Sequence, residues 1–95
     1  TQKKEMTSQK NYVVRIKRSA EKELDKLPKK LAQAIDAAIL RLELEPRPGG
    51  SKRLRGSDAY RIRHGDYRVL YIIDDKTRVV QITAIGHRKE VYRGT

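Results

Sequence analysis

The chain contains no cysteine, no phenylalanine and no tryptophan. Without thiols it can form neither a disulfide framework nor a thiolate zinc site. Two isolated histidines, His64 and His87, do not make a metal site either, so no metal and no cofactor is expected. With tyrosine as the only aromatic, Leu, Ile, Val and Ala must build a small interior that holds by burial alone. No apolar run approaches the roughly 20 residues that span a bilayer, and no signal-peptide core follows the basic N-terminus, so a cytoplasmic protein without a membrane partner is expected. Acid is scarce as well: 12 Asp and Glu stand against 23 Lys and Arg, for a net charge of +11. Such a charge gathers phosphate around the molecule and opposes its compaction, so an acidic partner should stabilise it. The acidic residues form no catalytic pair. Asp74-Asp75 has the look of a turn, where such residues serve the backbone, and a metal-dependent nuclease is disfavoured.

Ninety-five residues allow one domain. Residues 1–11 are polar and aperiodic and are expected to be a flexible leader before a single domain over 12–95. The sole methionine, Met6, suggests a natural start there, with Thr1 to Glu5 from an alternative or added start. Tyr12 to Lys17 fits a first strand. Ser19 offers an N-cap to a short helix with Ala20, Leu24 and Leu27 on one face, which Pro28 ends. Leu31, Ile35, Ala38, Ile39 and Leu42 form the apolar stripe of a second helix, stopped by Pro46 to Ser51. Ala59 to His64, Tyr67 to Ile73 and Arg78 to Ile85 then read as three strands joined by short turns, an antiparallel meander. The first strand can join the same sheet. The expected architecture is therefore α+β: an N-terminal strand, a helical hairpin and a three-stranded meander in one small sheet, with the helices on one face. The middle meander strand is apolar on both faces, which suggests that a partner or stacked bases cover the second.

The most informative stretch is Lys52 to Arg93, where arginines alternate with tyrosines and aliphatics. Period-2 alternation puts Arg61 and Arg63 on one face of their strand and Tyr60, Ile62 and His64 on the other. Guanidinium matches phosphate oxygens in a bidentate way, so RNA is the first partner to consider. Cleaving RNA needs a base for the 2′-hydroxyl proton, cations for the charge growing on phosphorus and an acid for the 5′-oxygen. Arg61, Arg63, Arg68 and Arg88 suit the second task, although solvated strand arginines are an equal alternative. His87 is the chemically apt proton shuttle, or a surface histidine without a role. Tyr92 is an acid, a base or a stacking platform, or simply a packing residue.

The order of Lys52-Arg53-Leu54-Arg55-Gly56, Ala59-Tyr60-Arg61-Ile62-Arg63, Asp66-Tyr67-Arg68-Val69-Leu70-Tyr71 and Gly86-His87-Arg88-Lys89-Glu90-Val91-Tyr92 resembles the RelE family of bacterial and archaeal toxins, in the RelE/ParE superfamily. The resemblance runs from Tyr12 to Arg93. It implies a RelE-like fold and a ribosome-dependent, metal-independent endoribonuclease, an mRNA interferase that cuts mRNA in the A site by 2′-hydroxyl attack. It implies a RelB-like antitoxin as partner, contact with ribosomal RNA, and operator DNA bound only through the antitoxin complex. The family's catalytic positions fall on Arg61, Arg63, Arg68, Arg88 and Tyr92. Lys52, Arg53, Arg55 and Lys89 are then expected to hold RNA. Well-known bacterial members carry lysine where this chain has Arg61 and Arg63. Arginine does not give up its proton, so the base here falls to Tyr92 or His87. Two readings compete with the interferase: a ParE-like inhibitor of DNA gyrase that cuts nothing, and a non-catalytic basic RNA-binding module.

Overall fold

The computed structural model describes residues 11–91. The proposed leader, apart from Asn11, and Tyr92 lie outside the described residues. The elements are β1 (Val13–Ile16), α1 (Arg18–Asp25), α2 (Lys29–Arg41), β2 (Lys52–Arg53), β3 (Ala59–His64), β4 (Tyr67–Asp74) and β5 (Val79–His87). They form one five-stranded sheet in the order β1-β5-β4-β3-β2. The meander of β3, β4 and β5 is antiparallel, as expected, and β1 joins it parallel to β5, with Val14 beside Val80 and Ile16 beside Ile82. The two-residue β2, not anticipated, extends the far edge by pairing with β3.

Ser19 is not a cap. Helix α1 starts at Arg18 with Lys17 at its N-cap, and no side chain caps it. Lys17 donates its N–H to Ile82 O, so strand pairing continues to the residue before the helix, and the helix begins one residue earlier than a serine cap would place it. Pro28 stands at the N-cap of α2, where its missing N–H costs nothing, so one proline both ends the first helix and starts the second. Asn11, placed by sequence in the leader, is tied down: its N–H and that of Tyr12 both donate to Glu43 O at 2.9 Å.

The core lies between the helices and one face of the sheet. Ala20, Ile35, Ile39 and Leu42 from the helical side meet Ile62, Val69, Tyr71, Val80, Ile82 and Ile85. In β5 the inward residues are Val80, Ile82 and Ile85, a spacing of two and then three. A β-bulge explains the change: Tyr71 pairs with Ile82 while its neighbour Leu70 pairs with Ala84, leaving Thr83 as the extra residue. Without it, strict alternation would turn Ile85 to the other face. Tyr71 is fully buried, stacks on Tyr60 with ring centroids 6.0 Å apart, and donates its hydroxyl to Pro46 O at 2.8 Å. Burial pushes its phenol up to about 12.

Candidate anion-binding face

Three adjacent rows on the sheet face away from the core bear on the site. Ala59, Ile72 and Gln81 make the first, Lys52, Arg61, Leu70 and Ala84 the second, and Arg63, Arg68 and Gly86 the third. Directly opposed residues of neighbouring antiparallel strands share a face, so this register brings Arg61, Arg63 and Arg68 together with Lys52. Period-2 alternation along β4 puts Arg68, Leu70 and Ile72 on this side. The expectation that a partner must cover all of that side needs correction at Leu70, which is only 1% exposed. The chain covers it itself, and the turn after β5 brings Val91 back over Gly86 in the neighbouring row. A side-chain carbon on Gly86 would lie 3.5 Å from Val91 Cβ. Ile72, 43% exposed, stays open.

Arg63 and Arg68 are directly opposed like charges, an arrangement that destabilises a sheet unless an anion lies between them. Arg68 places one guanidinium nitrogen 3.0 Å from both Gly65 O and Tyr67 O, at the β3–β4 turn. Arg88 arrives at the same turn from the other side: its backbone N–H donates to Asp66 O at 2.7 Å, and its Nε stands 3.8 Å from Asp66 Oδ1. One end of the sheet therefore gathers Arg63, Arg68 and Arg88 near the β3–β4 turn. Arg61 differs from them. One terminal guanidinium nitrogen, NH1, is shut off from solvent and has no hydrogen-bond acceptor. A buried charged donor without a partner is costly, and a phosphate oxygen is the acceptor that suits it.

The remaining sequence candidates divide. Lys52 is exposed beside Arg61, Arg55 is exposed on the loop after β2, and Lys89 is exposed in the terminal turn. Arg53 is engaged in its own loop, donating to Ser57 O at 3.0 Å and to the Asp58 carboxylate at 3.3 Å. His87 is not brought to the arginines. It pairs with Tyr67, which packs against the core, and the two rings meet edge to face at 5.8 Å on the helix side. Its Nδ1 also accepts the Lys89 N–H at 3.2 Å.

The family model described as "ParE toxin of type II toxin-antitoxin system, parDE" matches residues 14–92. Toxin RelG of Mycobacterium tuberculosis is 38% identical over 84 residues, which cover 86% of this chain and 97% of RelG. The chain belongs to the RelE/ParE family of toxins. Among solved structures, it is similar to a chain of the toxin-antitoxin complex RelBE2 of Mycobacterium tuberculosis, at 34% identity and a TM-score of 0.73, over 82% of this chain and 99% of that one. It is also similar to a chain of the archaeal RelE-RelB complex of Pyrococcus horikoshii, at 33% identity and a TM-score of 0.76, over 85% and 99%.

The toxin also holds a polar network that sequence reasoning missed. Asp75, in the β4–β5 turn, accepts from the Tyr12 hydroxyl at 2.6 Å and from Arg47 at 2.9 Å. Arg47 in turn donates to the Tyr60 hydroxyl at 3.2 Å and lies over its ring, and Arg78 lies over the Tyr12 ring. The Arg47 hydrogen bond, then that of Tyr12, holds the Asp75 carboxyl below its usual range. These partners are far apart in sequence, and no local motif announces them. By contrast, Asp74 acts as its turn position implies: its carboxylate accepts the N–H groups of Lys76 and Thr77, and it too is held low, chiefly by Thr77. The network anchors the loop after α2 that leads into β2, and so fixes the edge that presents Lys52.

Proposed function

We propose that this toxin is an mRNA interferase, a metal-independent endoribonuclease that enters the ribosomal A site and cuts mRNA by attack of a 2′-hydroxyl on the adjacent phosphate. One observation carries the reading. The open face sets Arg63 against Arg68, beside an Arg61 whose buried NH1 has no acceptor, so the face is organised around an anion that it does not itself contain. Arg61, Arg63, Arg68 and Arg88 hold the scissile phosphate and the charge that grows on it, and Tyr92 serves as acid or stacking platform. Lys52, Arg55 and Lys89 track the flanking backbone of messenger or ribosomal RNA, with Arg53 shaping the loop between them. Because the two solved relatives named above are complexes with RelB, a RelB-like antitoxin is the expected protein partner. An acidic, amphipathic segment of it would neutralise the arginines and cover exposed apolar residues such as Val13 and Ile72. Operator DNA is reached only through that complex, and the ribosomal target puts the toxin in the cytoplasm.

Primer extension on mRNA in translating ribosomes, beside the same RNA free in solution, tests the reading. New ends at A-site codons only on ribosomes are expected, and no ends in either sample from folded protein would refute it. The matched family model is described as ParE, which keeps gyrase inhibition by protein contact as a second reading. Loss of supercoiling activity from purified gyrase, with RNA left intact, would favour it.

A further inference from the structure

The open face is rich in cations and poor in proton acceptors. Arginine remains protonated throughout the accessible pH range and cannot take a proton from a hydroxyl. The carboxylates nearest these arginines are already engaged: Asp66 faces Arg88, and Asp58 accepts from Arg53. His87 lies on the helix side, and its Nδ1 lone pair is used by the Lys89 N–H. Tyr92 lies outside the described residues.

Glu90 differs from all of these. Its backbone N–H donates to His87 O at 2.8 Å, closing the turn that folds residues 88–91 back over the sheet. The next residue, Val91, rests on Gly86, the residue opposite Arg68 in the row Arg63, Arg68, Gly86. Glu90 also lines a groove of about 770 Å³ between the start of α1, at Lys17 to Glu23, and the open face, where Leu70, Ile72 and Arg55 line it as well. Its side chain is exposed and enters no ion pair among the described residues. A carboxylate there stands next to the row that carries Arg63 and Arg68.

We propose that Glu90 is the general base of the cleavage reaction. Resting on the interferase reading above, the step runs as follows. The Glu90 carboxylate takes the proton of the 2′-hydroxyl, the 2′-oxygen bonds to phosphorus, and the bond from phosphorus to the 5′-oxygen breaks. The arginines carry the negative charge, and the 5′-oxygen takes a proton from water. Glu90 then returns its proton to solvent, leaving a 2′,3′-cyclic phosphate and a 5′-hydroxyl end.

Single-turnover cleavage of ribosome-bound mRNA tests the proposal with wild type, Glu90→Gln, Glu90→Ala and, as the other groove carboxylate, Glu23→Gln. Positioned bases contribute about 10²- to 10⁴-fold, so Glu90→Gln should lose that factor in the cleavage rate while its ribosome affinity and circular dichroism stay near wild type. Formate, but not chloride, should restore cleavage to Glu90→Ala in proportion to its concentration, since a small carboxylate can occupy the vacated place. Near-wild-type cleavage by Glu90→Gln overturns the proposal and leaves the interferase reading standing, as does a larger loss in Glu23→Gln. A loss in Glu90→Ala that formate does not relieve makes Glu90 a structural contact and also overturns it. Absence of cleavage by the wild type removes the interferase reading itself.

Discussion

Replacing Arg61 with methionine should stabilise this toxin while disabling the proposed anion site. In the anion-free protein, the buried Arg61 NH1 lacks an acceptor. Leaving such a donor unsatisfied costs about 1–3 kcal/mol. Methionine has similar reach and no polar atom, so it removes that cost while filling the space between Lys52 and Leu70 on the neighbouring strands. A net gain of about 1 kcal/mol should raise Tm by roughly 4–8 °C for a domain of this size. Inorganic phosphate should tell the two proteins apart. At ten times its Kd it stabilises wild type by about 1.4 kcal/mol through mass action, and it should do little for Arg61→Met. Thermal unfolding followed by circular dichroism checks both effects, with chloride at matched ionic strength to remove general screening of the +11 charge. A variant that melts lower than wild type and keeps its full phosphate response would refute the assignment of Arg61 to an anion.

Tyr71→Phe strands the Pro46 carbonyl that its hydroxyl satisfies, and urea titration should show a loss of about 1–2 kcal/mol with m unchanged. Ile39→Ala empties a site with no exposure at all and should cost about 2–5 kcal/mol in the same titration. Asp75→Asn removes a carboxylate whose folded pKa lies below 3.8, so the stability it lends is complete above that value and fades as pH falls through the lowered folded one. Wild type should therefore lose Tm faster than Asp75→Asn on acidification below pH 3.8, and parallel curves would sink the network as a stabilising element. Arg68→Gln relieves the opposition with Arg63 and should gain about 0.2–1 kcal/mol in stability, while ribosome-dependent cleavage is lost.

Much of the fold could be read from residue order, because the signals involved are local. The stripe Leu31, Ile35, Ala38, Ile39, Leu42 is set by helical periodicity, and α2 spans it apart from its last member, which is the C-cap. The turns at Gly65-Asp66 and Asp74 to Thr77 require backbone shapes that Gly and Asp supply, so β3 runs over Ala59–His64 as expected and β4 ends one residue later, at Asp74. Ser19 was misplaced because a cap preference of about 1 kcal/mol yields to strand pairing that reaches Lys17. The bulge at Thr83 left a faint sequence trace, the step from two-residue to three-residue spacing between Ile82 and Ile85, but only the pairing with β4 gives that step a meaning.

For the site, sequence by itself determined that the protein is strongly cationic and that its arginines alternate on strands. Composition and period-2 alternation carry that much, since each depends on a residue and its near neighbours. Tertiary structure alone decided which charges meet. It set Arg63 opposite Arg68, left an Arg61 nitrogen buried without an acceptor, and turned His87 to the helix side. It also brought Glu90 to the groove and joined Arg47 to Asp75 across 28 residues. Register, bulges and chain reversals fix these relations, and they follow from the packing of the whole sheet against its helices, so no local stretch of sequence contains them.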